Sequence, residues 1–327
     1  MVARKGSLYV ILVFGIVLTL WYFAYIALLE DFENYKNGPY SRNSALLWKY
    51  QYSYLIEPIF VSNRSNIIIL VTTRSSSVLR RQLIRDTWSD SFKRSNSADV
   101  IFFAGLTSSS LQRSEILDNL GQESKKYGDI LVADFDDTYF NLTLKSYLAF
   151  YYAYQNYPSA TFYLKTDDDV MLYSENIIRY LNNQNSTQRS LFCHAFENAV
   201  VYRDPALEKL YLSYWAYPSR HFPSYCSGHT YAATRSAVGS IINYLHENMT
   251  YYLHFEDILL TGFVAKETGL TRVHSSNWHP RENTLKEIDN ALSIHHLKSD
   301  QELMYEWQRY VEFRKKRAVD KYRGQGS

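Results

Sequence analysis

The chain has 327 residues, 46% of them hydrophobic, with 35 Lys and Arg against 33 Asp and Glu for a formal charge of +2. That length and apolar content supply one large core or two small ones. The near-balanced charge argues against nucleic acid as a partner, because such binders concentrate basic residues on one surface.

Leu8 to Leu29 is an uncharged run of about twenty residues, LYVILVFGIVLTLWYFAYIALL, enough to cross a hydrocarbon layer of roughly 30 Å as a helix. Arg4 and Lys5 precede it, whereas Glu30, Asp31 and Glu33 follow. The positive-inside bias then places residues 1–7 in the cytosol and everything after residue 30 in a lumen. A cleaved signal peptide is the alternative, but the run is longer than the usual apolar core of one and ends without a small-x-small cleavage site; residues 8–29 are read as an uncleaved transmembrane signal anchor. Four sequons, at Asn63, Asn141, Asn185 and Asn248, agree with a secretory route. The two cysteines, Cys193 and Cys226, both fall on the lumenal side, where one disulfide and two buried thiols are both open.

Residues 30–62 show no helical or strand period and contain Asn37-Gly38-Pro39 and Glu57-Pro58, so they read as a stem. Residues 63–312 form the lumenal domain, and 313–327, with Arg314-Lys315-Lys316-Arg317, a basic tail that reads as a solvated helix end. Within the domain, Asn66–Thr73 is a continuous apolar run of the kind buried on both faces of a sheet. Leu79, Leu83 and Ile84 have helical spacing, with the arginines on another side. Asp99–Gly105 predicts a second strand, Ser108–Tyr127 a helix, and Ile130–Val132 a third strand. Asp134–Tyr139 reads as a loop, Leu142–Asn156 as a long helix stopped by Tyr157-Pro158, and Ile177–Leu181 as a helix. This alternation predicts an α/β domain with a mostly parallel central sheet and flanking helices.

The centre of the chain is Phe162–Leu172, in which an apolar strand runs into Lys165-Thr166-Asp167-Asp168-Asp169 and returns at once to Val170-Met171-Leu172. Adjacent carboxylates raise one another's pKa and repel, so three of them persist only where solvent or a cation compensates. Side chains alternate along an extended backbone, which points Asp167 and Asp169 to one side and Asp168 to the other. Two acids can therefore face one divalent ion of the oxygen-seeking kind, magnesium or manganese. An acidic surface turn is the plainer reading, opposed by the apolar residues that follow, which favour a crevice at a strand's carboxyl end.

Two later segments are further candidates for a site. Phe222–Tyr231 contains Gly228, which either permits close backbone approach by a ligand or serves a turn. His254–Val264 reads as the start of a helix with Glu256 and Asp257 at its amino end, where free amides and the dipole hold a carboxylate ionised whether it caps or catalyses.

Taken together and in order, six elements resemble glycosyltransferase family 31, the inverting β-1,3-galactosyl- and N-acetylglucosaminyltransferases of the Golgi. They are Arg81-Gln82-Leu83-Ile84-Arg85-Asp86-Thr87-Trp88, Phe102–Gly105, Asp134–Tyr139 with Asn141–Lys145, Lys165–Val170, Phe222–Gly228, and Glu256-Asp257-Ile258 with Gly262. The resemblance implies a GT-A-like nucleotide-sugar transferase fold behind a single transmembrane helix, in a single-pass type II Golgi membrane protein. It further implies a UDP-sugar donor, a glycan acceptor on glycoprotein or glycolipid, and Mn2+ between the diphosphate and the acids. By the same carry-over Asp169 is a direct metal ligand, Asp167 reaches the donor ribose or the metal, and His295 is a further metal ligand, although an HH pair read alone is an ordinary surface feature. Asp257 matches the catalytic base. Thr72, Arg81, Arg85, Lys165, Asp168 and Gly228 fall to the donor side, the two arginines being equally suited to structural ion pairs.

Leu259 and Leu260 stand where the family usually has an aromatic residue, which puts the acceptor side in doubt. The implied reaction is transfer of a hexose, galactose first, to an acceptor 3-hydroxyl. The alternatives are N-acetylglucosaminyl transfer and an inactive relative that partners or chaperones other transferases. Phosphoryl transfer at the acids lacks a glycine-rich phosphate loop.

Overall fold

All six side chains of Ile67–Thr72 are buried, a pattern that only a strand covered on both faces can satisfy. In the computed structural model of the chain this segment is β2, preceded by β1 (Tyr54–Ile56) and followed by β3 (Ala98–Leu106), β4 (Ile130–Asp136), β5 (Phe162–Asp167) and β6 (Met171–Leu172). Then come β7 (Ser190–Phe196), β8 (Tyr225–Thr234), β9 (Thr271–His274) and β10 (Ser293–Ile294). The structure describes residues 2–37, 52–59, 65–107, 110–248, 252–278 and 288–324. The sequons at Asn63 and Asn248-Met249-Thr250 and most of the stem fall wholly or partly outside them.

Eight strands form one mixed sheet in the order β1-β4-β3-β2-β5-β8-β7-β9, and β10 pairs with β6 in a separate ribbon. Pairing is parallel from β4 through β3 and β2 to β5 and again between β7 and β9, and antiparallel where β8 meets β5 and β7. Ile67, Ile69 and Val71 of β2 share one core with Phe102, Leu164, Trp88, Ile177 and Leu303, so helices Ser174–Asn182 and Asp300–Gly324 cover that face. Ile68 and Leu70 point the other way and are equally buried; helix Leu142–Asn156 packs against β2, β3 and β5. This is the α/β arrangement, a largely parallel sheet between helices, that the alternation of elements predicts, and it agrees with the GT-A-like fold that the resemblance implies.

Several boundaries differ from expectation. Tyr54–Ile56, inside the presumed stem, is an edge strand antiparallel to β4, a segment too short for periodicity to reveal. Asp134 to Asp136 continue β4 instead of forming a loop. The basic tail is the end of a helix, Asp300–Gly324, as its reading from sequence has it, but Arg314 and Arg317 are not left to solvent alone and pair with Glu175 and Asp289. The sequon at Asn141 is buried, its amide donating to the Asp136 carbonyl at 2.6 Å, whereas Asn185 is exposed.

The chain divides into two units, residues 44–199 with 222–327, and residues 1–43 with 200–221. The first holds the sheet. In the second, the helix Val2–Asn37 carries the apolar run, and its portion Leu12–Lys36 is long and apolar enough to cross a membrane.

Arg81 and Arg85, expected near the donor, instead hold the fold. Arg81 donates to Glu123 at 2.9 and 2.7 Å and to the carbonyls of Arg74 and Ser75 at 2.6 and 3.0 Å. Arg85 pairs with Glu123 and Asp129 at 2.8 Å and lies over the rings of Phe102 and Tyr127. A guanidinium offers five donors in a planar fork, and here two buried forks are held by two acids and two carbonyls inside the fold. Burial alone would raise the Glu123 pKa, but Arg81 and then Arg85 hold it below the ordinary 4.5.

These ties have a measurable effect on stability. The Glu123 contribution is whole above pH 4.5 and lost as pH falls through its depressed folded value. Glu123→Ala, leaving two buried guanidinium groups short of a partner, should cost about 3 kcal/mol in urea unfolding at neutral pH. The cysteines do form a disulfide, Cys193–Cys226, across β7 and β8 with a sequence separation of 33. Closing a loop of that size should contribute about 3–4 kcal/mol, which a shift of the urea midpoint in the Cys193→Ala/Cys226→Ala protein will measure.

Candidate active site

Parallel pairing in register sets Thr72 beside Asp167 at the carboxyl ends of β2 and β5. Thr72 Oγ1 donates to Asp167 Oδ1 at 2.5 Å, and Thr73 Oγ1 donates to Asp168 Oδ2 at 2.7 Å. Asp168 and Asp169 lie in the turn after β5, and this turn, not the alternation of an extended strand, separates Asp168 from its neighbours; burial with the adjacent acids raises its pKa in spite of Thr73. Thr72, expected on the donor side, is a buried clamp on Asp167. The end of β2 is held by Lys145, which donates to the Thr73 carbonyl at 2.7 Å and pairs with Asp137.

Lys165 is 4% exposed and ties three elements together. Its ammonium donates to Asp167 Oδ1 at 2.6 Å and to the Gly228 carbonyl at 2.5 Å, and it pairs with Glu256 at 3.2 Å. An ammonium has three donors, and three acceptors meet it here. Burial favours losing its proton, but Asp167 and Glu256 outweigh burial and raise the pKa. It is therefore a positioning residue.

Gly228 lies within β8 and not in a turn. A Cβ at this position would come within 2.9 Å of Asp257 Oδ2 and 3.1 Å of its Cγ, so the missing side chain makes the space the Asp257 carboxylate fills. Asp257 opens a π-helix, Asp257–Val264, whose Thr261 hydroxyl donates to the Asp257 carbonyl at 2.5 Å and accepts from Cys226 N at 2.8 Å. Gly262 lets the same turn pack on β8, since a Cβ there would stand 3.2 Å from that of Tyr225. Neither acid is the cap that the helix start implied. Glu256 makes no capping bond, but pairs with Lys165 and accepts from Tyr231 at 3.1 Å. Asp257 accepts from the adjacent Ile258 N at 2.9 Å, yet burial first and the Glu256 charge second push it up to about 7. The dipole reading, which would keep it ionised and low, is overridden by desolvation.

The β10–β6 ribbon delivers the remaining group. Ile294 pairs with Met171, so His295 arrives opposite the end of the acidic run, with Leu297 N donating to the Asp169 carbonyl at 3.1 Å. His295 Nε2 lies 3.4 Å from Asp169 Oδ2, and one ligand atom each of Asp167, Asp169 and His295 lies within 4.8 Å of the others. Asp169 Oδ1 is buried without a hydrogen-bond partner, a cost a bound cation would remove. Two carboxylates and an imidazole are a suitable donor set for manganese. The residues present fit such an ion.

Sequence reasoning missed His229, the residue under His295. The two rings stack at 4.6 Å and 7°. His229 is buried, with Nδ1 2.7 Å from Ser227 Oγ and Nε2 3.1 Å from the Trp278 carbonyl, which assigns the proton to Nε2. Sequence reasoning also missed Thr73, although it is the sequence neighbour of a chosen residue, and it did not foresee that Glu256 pairs with Lys165. Arg81 and Arg85 bond to Glu123, Asp129 and the chain at 74–75, and not to the acids of the site.

A family model described as Galactosyltransferase matches residues 79–276. UDP-GalNAc:beta-1,3-N-acetylgalactosaminyltransferase 1 of Rattus norvegicus is 34% identical over 228 residues, covering 64% of this chain and 66% of the relative. Lactosylceramide 1,3-N-acetyl-beta-D-glucosaminyltransferase A of Xenopus laevis is 27% identical over 67% of this chain and 59% of its own. Beta-1,3-galactosyltransferase 5 of Gorilla gorilla gorilla is 29% identical over 59% and 63%. The match to the rat relative thus spans just under two thirds of its length. Among solved structures, a glycosyltransferase involved in the glycosylation of the major capsid of PBCV-1 is similar at a TM-score of 0.40 and 11% identity, over 73% of this chain and 98% of that one. With the family model covering well over half of its residues, the chain belongs to the galactosyltransferase family, glycosyltransferase family 31.

Proposed function

We propose that this protein is a type II Golgi membrane enzyme that transfers a hexose, galactose or its 2-acetamido form, from a UDP-sugar to the 3-hydroxyl of a glycan acceptor, with inversion. The observation that carries this reading is the Asp257 carboxyl, raised to about 7, seated in the space left by Gly228 and tied through Glu256 and Lys165 to the acids of β5. A general base works best with a pKa near the operating pH. The relatives' names span galactose, N-acetylgalactosamine and N-acetylglucosamine donors, and β-1,3 linkage is common to them.

In the proposed step an acceptor oxygen bonds to the anomeric carbon of the donor while its proton passes to Asp257. The bond from that carbon to the diphosphate oxygen breaks on the opposite side, releasing UDP and turning an α-linked sugar into a β-linked one. Asp167, Asp169 and His295 would hold manganese, which when bound offsets the negative charge of the departing diphosphate. Thr72 and Lys165 fix the Asp167 carboxylate. Lys165 also fixes the Gly228 carbonyl, on the strand facing Asp257. The apolar helix anchors the chain, with the sheet on the lumenal side.

With purified full-length protein, manganese and a panel of UDP-galactose, UDP-GalNAc and UDP-GlcNAc, Asp257→Asn should lower kcat by at least a hundredfold, in line with loss of a general base, and leave UDP affinity within about twofold. Turnover at the parental rate in that variant would remove Asp257 from the role. Because only the ionised carboxyl accepts a proton, kcat/KM of the parent should rise tenfold per pH unit below about 7 and level off above it. Asp169→Ala should weaken manganese binding by at least tenfold in titration calorimetry without nucleotide, while the circular dichroism spectrum stays unchanged.

A further inference from the structure

Residues 200–221 belong with the amino-terminal helix and not with the sheet unit. The tie is Asp31, the second residue past the apolar run. Its carboxylate accepts from Tyr211 Oη at 2.5 Å, Ser213 Oγ at 2.8 Å and Tyr214 N at 3.0 Å. Next to it, Phe32 meets the Trp215 ring edge-on with centroids 5.0 Å apart. Arg203 braces the segment from within, donating to the carbonyls of Leu212, Tyr217 and Ser219 with its guanidinium 4.1 Å from the Tyr214 ring. Despite these contacts, Tyr214 is 51% and Trp215 54% exposed, and Leu207 and Leu210 are 41% and 44% exposed.

Height along the helix decides what those side chains meet. The apolar run of about 22 residues rises about 33 Å, a close match to a hydrocarbon layer of about 30 Å. Asp31 and Phe32 stand about 3 to 5 Å beyond its last residue, inside a headgroup layer of about 5 to 8 Å on each side. Tyr and Trp are the residues that favour this layer, with an apolar ring and a polar edge. An acid so close to hydrocarbon would otherwise keep its hydration shell, and three protein donors replace that water.

We infer that residues 200–221 are a membrane-interface foot, clamped to the exit of the anchor helix by Asp31, with Tyr214 and Trp215 seated among phospholipid headgroups. The inference rests on the anchor reading given under the proposed function. Continuity with the helix favours lipid over a second protein, because Phe32 fixes Trp215 at the level where the apolar run ends.

The test uses the full-length protein in phosphatidylcholine vesicles, with tryptophan quenching by lipids spin-labelled at the headgroup or deep in the acyl chain. Trp21, in the middle of the run, reports the anchor. Trp21→Phe should abolish deep quenching and keep headgroup quenching. Adding Trp215→Phe should cut the remaining headgroup quenching at least twofold, with an unchanged circular dichroism spectrum. Headgroup quenching that is the same with and without Trp215, while Trp21 is quenched at depth, would overturn the foot and leave the anchor standing. Absence of deep quenching of Trp21 would overturn the anchor and this inference with it. In the Trp21→Phe protein, Asp31→Ala should lower the headgroup quenching of Trp215 as the clamp opens, and unchanged quenching there would refute the clamp.

Discussion

The buried ammonium of Lys165 is the constraint from which the site is built. Removing an ion from water costs several kcal/mol unless its partners are well placed, and here they come from three elements: Asp167 on β5, the Gly228 carbonyl on β8, and Glu256 at the head of the π-helix. None of these can shift without leaving the ammonium short of an acceptor. Lys165 consequently fixes the distance between the acids at the strand end and the carboxyl of Asp257, although nothing in its surroundings leaves it a donor for a substrate.

That single cation does not balance the acids around it. Asp167, Asp168, Asp169, Glu256 and Asp257 crowd one strand end and one helix head, and the surplus is visible in the raised pKa values of Asp168, Glu256 and Asp257. In each case burial is the first cause and a neighbouring acid contributes. Asp169 is the exception, for although burial raises it, His295 and then the local backbone bring it below its ordinary value. The side of the cluster facing His295 is thus already arranged for positive charge, while the side facing Asp257 holds a proton to near neutrality. Under the proposed function, one cluster of like charges is divided into a part that would hold the cation and a part that would accept the proton.

Much of this was legible from residue order. The wholly buried β2 and the helix Leu142–Asn156 follow from local pattern, and the structure reproduces them; Asp168 is split from Asp167 and Asp169, but by the turn that follows β5 and not by strand alternation. What could not be read depended on contacts between distant segments. Arg81 and Arg85 suit the donor side and structural ion pairs equally until Glu123 and Asp129 arrive beside them from another helix and its following turn. Gly228 looks like a turn residue until the π-helix places Asp257 over it. Asp257 looks like a helix cap until burial outweighs the dipole. His229 carries no signal at all, because its place under His295 depends on the pairing of β10 with β6.

The buried amide of Asn141 has a consequence for the order of events during biosynthesis. Its nitrogen, the atom that an oligosaccharide would modify, is bonded to the Asp136 carbonyl at the start of the helix Leu142–Asn156. A sugar attached there while the nascent chain was still extended would bar that turn from closing, and the strand before it and the helix after it could not dock. In a lumenal chain, molecules bearing a glycan at Asn141 would therefore be those modified before they folded, and native ones would be found bare at that position.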